Sequence, residues 1–136
     1  MSHHADWSLQ KAIHATLVAD AAVVASLGGP RIYDHVPRGQ AYPYVTFGQS
    51  IVRDWSTGTD DGVEIVVTLH VWSRAAGRHE AADVMDAVRV ALHDRPLTVE
   101  GSLLVNLRHE LSEVRRDPDG DQFHGIVRLR AALEAL

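Results

Sequence analysis

The chain is predicted to fold as an α/β (α+β) domain, a four-stranded antiparallel sheet with helices packed on one face. Three patterns lead there. Val63, Ile65, Val67, Leu69 and Val71 recur at every second residue with Glu64, Thr68 and His70 between them, the period of a strand buried on one side. From Arg78 the period changes: Ala81, Val84, Met85, Val88, Ala91 and Leu92 recur at three and four, opposite Glu80, Asp83, Asp86 and Arg89, as on an amphipathic helix. Two further alternating runs near the C-terminus are separated by a turn signal. A sheet with one apolar face and a helix with one apolar stripe hide both by packing together.

Leu9, Ala12, Ile13 and Leu17 follow helical spacing after Asp6, which predicts a helix over residues 6–19 with Asp6 as its N-cap and Trp7 in its first turn. Asp20 reads as a second cap before Ala21 to Leu27, and Gly28-Gly-Pro30 stops the helix. Ile32 and Tyr33 continue in extended form, and the stretch between Pro37 and Pro43 has no period and reads as a loop. Residues 44–55 are expected to be a strand with Val45, Phe47, Ile51 and Trp55 on one side and Thr46, Ser50 and Asp54 on the other. Ser56 to Gly62 is a hairpin connection to the strand over 63–71, since its glycines and aspartates tolerate turn geometry. Ser73 to Gly77 joins that strand to the helix over 78–92, which ends before Pro96; Leu97 to Val99 is a possible short strand before a turn at Glu100-Gly101. A long strand then places Leu103, Val105, Leu107, His109 and Leu111 on one side and Leu104, Asn106, Arg108, Glu110 and Ser112 on the other. Asp117-Pro-Asp-Gly120 is a turn signal, and the last strand, Gln122 to Glu134, has Phe123, Val127, Leu129, Ala131 and Leu133 inward and His124, Arg128, Arg130 and Glu134 outward.

At 136 residues the chain is expected to be one domain with a single core. It contains no cysteine, which removes disulfides, thiolate nucleophiles and cysteine-based metal sites. No apolar run approaches bilayer length, and Met1-Ser-His-His-Ala-Asp lacks the basic and apolar regions of a signal peptide, so the chain reads as soluble and without a membrane partner. A formal charge of −5 argues against coating nucleic acid as a main activity. There is no internal repeat.

The nine histidines are scattered, without a His-x-x-x-His or His-Glu-x-x-His pair, so no metal site and no cofactor are expected. Ser73, His79 and Asp83 can be assembled into a triad on paper, but no Gly-x-Ser-x-Gly elbow is present. Gly28-Gly-Pro-Arg31 is not followed by the residues of a phosphate loop, and Asp117 to Asp121 lacks the distal acid of a calcium loop. No catalytic residue is expected. The polar side of the sheet says more: Arg108, Glu110, His124, Arg128 and Arg130 on the last two strands face the same way as Glu64, Thr68, His70 and Trp72. Mixed charge with an aromatic is either a solvated face or a subunit or partner interface, for which His70, Trp72, Arg108, Glu110, His124, Arg128 and Arg130 are the candidates.

A family resemblance bears on that choice. The order Leu9-Gln-x-Ala-Ile13, Ala19-Asp-Ala21, Arg31-Ile-Tyr-Asp-x-Val-Pro37, Pro43-Tyr-Val45, Leu69-His-Val-Trp-Ser-Arg74, Gly77-Arg78, Ala91-Leu-His93, Asp117-x-Asp-Gly120 and His124-Gly125 resembles the tail-completion, or tail-terminator, proteins of tailed phages and gene transfer agents, from about Leu9 to Glu134. The resemblance implies a virion structural protein of the tail, assembled in the host cytoplasm. It implies a homo-hexameric ring that caps the tail tube and joins it to the head-completion, or connector, proteins. It also implies a lumen through which DNA passes without specific binding. The competing expectation is a small oligomeric α/β ligand-binding or enzyme domain with a pocket at His70, His124 and Arg128 on the sheet.

Overall fold

A computed structural model describes residues 3–59, 61–118 and 122–136, with the side chains of residues 3 and 4 left aside. The elements run α1 (His3–Ala19), α2 (Ala21–Leu27), β1 (Ile32–Tyr33), β2 (Tyr44–Asp54), β3 (Gly62–Ser73), α3 (His79–Leu92), β4 (Ser102–Arg116) and β5 (Phe123–Ala135). The sheet has five strands in the order β1-β2-β3-β5-β4. The four expected strands are present and antiparallel to their neighbours; the fifth is β1, which lies parallel to β2 through Ile32 opposite Val45 and Tyr33 opposite Thr46. Two residues leave too short an alternation to announce a strand, which is why the sequence reads them only as extended. Because β5 lies between β3 and β4 and opposes both, β3 and β4 run parallel, and α3 makes the crossover between them.

All three helices contribute to a core on one face. Leu9, Ile13 and Leu17 of α1, Val23 and Leu27 of α2, and Val84, Val88 and Leu92 of α3 close over Val45, Ile65, Leu69, Val71, Leu107, Val127, Leu129 and Leu133. Most of these side chains are sealed from water, and each contributes about 1.5–3 kcal/mol by its burial. Asp20 caps α2, accepting from the Val23 amide at 3.0 Å, and Gly28 ends it in the left-handed region at φ 78°. Asp6 is not the cap of α1: the helix starts at His3, and the Asp6 carboxylate instead accepts from Ser50 Oγ at 2.8 Å, tying α1 to β2. Gly125 allows α3 to come close to the sheet, since a Cβ there overlaps Met85. Leu97–Val99 forms no strand; Val99 makes one isolated bridge to Ser102. Of the turn at 117–120, residues 119–121 lie outside the described residues. No helix among the described residues is long and apolar enough to cross a membrane.

Bulges correct the two strand registers that strict alternation implies. In β2 the pairing shifts between Phe47 and Ser50, so Val45 and Phe47 face the helices while Ile51 and Trp55 lie on the other face. Ser50 and Asp54 correspondingly change sides, and only Thr46 stays outward. In β4 shifts occur between Leu104 and Asn106 and between His109 and Leu111. Leu103 and Leu111 are therefore turned away from the helices, and Leu104, opposite Leu133, faces them instead. The expected apolar row of β4 survives in Leu107, which is sealed in the core, and in His109 beside it on the helix side.

Candidate functional site

The face of the sheet away from the helices presents its side chains in rows that the register defines. The row nearest the β4–β5 turn is Tyr44, Trp72, His124 and Arg115; the next is Thr46, His70, Ile126 and Glu113. Then come Thr68, Arg128 and Leu111, followed by Ile51, Val66, Arg130 and Arg108, and then by Arg53, Glu64, Ala132 and Asn106. All seven residues singled out from the sequence share this face: His70 and Trp72 from β3, Arg108 and Glu110 from β4, and His124, Arg128 and Arg130 from β5.

They form two groups. In the first, the Trp72 and His124 rings stack at 4.1 Å with an interplanar angle of 8°, and the His70 ring lies 4.8 Å from that of His124. His70 Nδ1 and His124 Nε2 are 2.6 Å apart, a hydrogen bond in which one imidazole donates and the other accepts. Trp72 Nε1 donates to Thr46 Oγ1 at 3.0 Å, which fixes the indole against β2. The missing side chain of Gly48 leaves room for the His70 ring, because a Cβ there overlaps it. Burial holds the pKa of both histidines below the ordinary value, His70 further by the Arg115 charge and His124 further by His70 and Arg115. Burial and a hydrogen bond to Tyr42 push the Tyr44 phenol up to about 12.

The second group is a ladder of charge across the face. Arg53 and Arg130 reach Glu64 at 4.0 and 3.8 Å, and Arg130 also reaches Glu110 at 2.6 Å. Arg108 pairs instead with Asp94 at 3.5 Å, at the edge of the sheet. Such exposed pairs contribute up to about 1 kcal/mol each, so they orient the side chains more than they stabilise the fold. Arg128, between Thr68 and Leu111, keeps its Nε buried with no hydrogen-bond partner among the described residues. Apolar Val66, Ile126 and Ala132 are covered by these longer neighbours, which gives the face an apolar floor under a polar layer.

His70 and His124 do meet, as the pocket reading requires. Their facing nitrogens are spent on each other, and Trp72 lies flat on the His124 ring, so the arrangement is a stacked platform and not an open cleft. No group of three or more His, Asp or Glu side chains poised to hold a metal exists among the described residues. The alternating pattern missed Ile51, Trp55, Leu103 and Leu111 as outward residues; only the bulges bring them there, and of these only the β2 bulge carries a signal in the sequence, Gly48 within the strand.

Comparison with known proteins gives consistent results. Residues 11–134 match the sequence profile of the family described as Tail completion protein gp17. The Tail completion protein gp17 of Bacillus phage SPP1 is 36% identical over 89 residues, 65% of this chain and 66% of that protein, so the match spans just under two thirds of the relative's length. Among solved structures, a chain of the virion of native gene transfer agent (GTA) particle superposes with a TM-score of 0.92 at 32% identity, covering 98% of this chain and 100% of that one. With nearly its whole length matched by the profile, the chain belongs to the Tail completion protein gp17 family.

Proposed function

We propose that this chain is a structural, non-catalytic component of a phage or phage-derived tail: a ring of six copies that caps the tail tube and joins it to the head-side connector. The observation that carries the reading is the near-complete likeness to a chain of a gene transfer agent virion, in fold and at 32% identity. The open face supports it physically. An apolar floor, a stacked tryptophan and a set of arginines and carboxylates on a rigid sheet are what partner surfaces use, with the aromatic and arginine side chains as anchors. His70, Trp72, Arg108, Glu110, His124, Arg128 and Arg130 are accordingly proposed to contact neighbouring copies or the tail partners. DNA passes through the lumen without specific binding in this reading, and a formal charge of −5 per copy suits passage, because phosphate affinity grows with the number of cationic contacts.

Electron microscopy of particles from a producer lacking the gene tests the proposal. Over-long tails, or tails without heads, are the expected defect. Particles with normal tails of normal length, still joined to heads, would refute it.

A further inference from the structure

We propose that adjacent copies of this chain meet margin to margin, the β2 side of one sheet against the β4 side of the next, through apolar side chains turned outward at the bulged strands. This inference rests on the ring reading above and says which surfaces close the ring. A head-to-tail contact of this kind needs two different patches on each molecule, and the patches must lie on opposite sides of it.

Exposed apolar side chains stand at those two places. On the open face at the β2 margin are Ile51 and Trp55, 40% and 50% exposed; at the β4 margin are Leu103, Val105 and Leu111, between 37% and 52% exposed. Among the described residues only Trp7, Val90 and Leu136 complete the set of exposed large apolar side chains. Trp7 lies on the helix side, where it lines a groove with Phe47, and takes no part in the contact. Single exposed apolar residues are ordinary, whereas two clusters at opposite edges of one sheet mark contact surfaces.

The register matches the clusters in height. Trp55 lies across from Gly62, which opposes Glu134, which in turn opposes Leu103, so Trp55 and Leu103 sit at the same level along the strands. Ile51 is in the row that ends at Arg108, between Val105 and Leu111. A second copy placed alongside, with no shift along the strand direction, therefore sets Trp55 against Leu103 and Ile51 against the stretch from Val105 to Leu111. Such a head-to-tail contact gives a ring when the rotation between neighbouring copies closes on itself.

One bulge in β2 and two in β4 interrupt the edges of both margins, which disfavours continuous strand pairing between copies and gives side chains the larger part in the contact. Both margins carry both signs: Arg53, already paired with Glu64, beside Asp54 and Asp61 on one, and Arg108, already paired with Asp94, beside Arg95 on the other. Arg95 donates to the Val90 carbonyl and has no carboxylate in ion-pair range among the described residues, which leaves it a cation to meet Asp54 or Asp61 of a neighbour. With the margins occupied by copies, the Trp72 and His124 stack and Arg128 remain available to a different partner at the centre of the open face.

The absence of cysteine makes cross-linking a clean test. Two pairs of exposed positions are used, Trp55→Cys with Leu103→Cys and Ile51→Cys with Leu111→Cys, under mild oxidation, with native mass measurement of the unmodified chain alongside. Within one molecule each pair is separated by three strand spacings, roughly 14 Å, beyond the ~7 Å limit for a disulfide, so any bond is between molecules. Each variant is first shown to melt with the unmodified chain. Mixing the two members of a pair is expected to give a disulfide dimer that neither gives alone, and both cysteines in one chain are expected to give a ladder ending in a closed species. Oligomers in the native spectrum with no cross-link from either pair would overturn the margin contact and leave the ring reading standing. Dimers of like with like would overturn it in favour of a two-fold contact, and monomers at every concentration with no cross-link would count against both readings.

Discussion

Replacing Gly125 by alanine tests how closely α3 is pressed onto the sheet that presents the open face. Gly125 sits in β5 between Val71 of β3 and Val114 of β4, on the helix side. A methyl group there overlaps Met85 Sδ and stands 3.0 Å from Met85 Cγ and 3.3 Å from Val71 Cβ, against the 3.5–4.0 Å at which carbon atoms attract best. Met85 is 7% exposed, so it has little room in which to withdraw. Overpacking of this kind costs about 1–3 kcal/mol, and alanine returns about 0.5–1 kcal/mol by restricting the unfolded chain, for a net loss of up to about 2.5 kcal/mol, centred on ~1 kcal/mol. At this chain length a loss of ~1 kcal/mol lowers Tm by roughly 3–5 °C. Urea unfolding of Gly125→Ala, Met85→Ala and the double variant supplies the check. Because the new methyl occupies space that Met85 vacates, the double variant is expected to be more stable than the sum of the single losses by about 1 kcal/mol. Strict additivity, or an unchanged Gly125→Ala midpoint, would mean that α3 does not press on β5 at this point.

Three other outcomes are expected. Trp72→Ala removes the stack on His124 and the bond to Thr46, and should lose more in assembly, read as finished tails in particles from a producer carrying the variant, than in melting temperature; equal losses would make the indole a packing residue only. Val67→Asp places a charge among Leu129 and its neighbours beneath the helices and should leave no cooperative unfolding transition by circular dichroism, whereas a folded variant would refute the register of β3. His70, His109 and His124 have pKa values held down in the fold, so the unfolded chain binds more protons below about pH 6.5. Stability is therefore full above that pH and falls as pH drops towards the lowered folded values, by at most about 1.4 kcal/mol per unit for each proton. Urea midpoints between pH 8 and 5.5 should show a shallower fall in His124→Gln; an identical slope would mean the pair is not the source.

The two central strands, β3 and β5, are legible because burial on one face writes itself as alternation, from Val63 to Val71 and from Phe123 to Leu133. Helix α3 was legible for the same reason at its own period, and Asp20 because a cap is a local device. The edges were not. At Phe47 to Ser50, Leu104 to Asn106 and His109 to Leu111 an extra residue enters one strand, marked by Gly48 in the first case and by no special residue in the other two, and the alternation read through it assigns the next residues to the wrong side. The candidate face follows this division: its centre, His70, Trp72, His124, Arg128 and Arg130, lies on the regular strands and is legible, as are Arg108 and Glu110 on β4, while alternation alone puts Ile51 and Trp55 on the side of Val45, and Leu103 and Leu111 on the side of Leu107. The short β1 depends on tertiary pairing with β2, and nothing in two residues declares it.

The interruptions in β4 have a further consequence for how such a chain is kept before use. Deleting Val105 and Glu110 would leave the pairing of every other residue in place and produce a straight, uninterrupted outer edge, with a row of free amides and carbonyls open to any extended segment. Adhesion of that sort recognises backbone and is indifferent to identity, so it ends in precipitates. Two extra residues break that row, so the edge is a poorer template for indiscriminate strand addition and recognition there falls more to side chains.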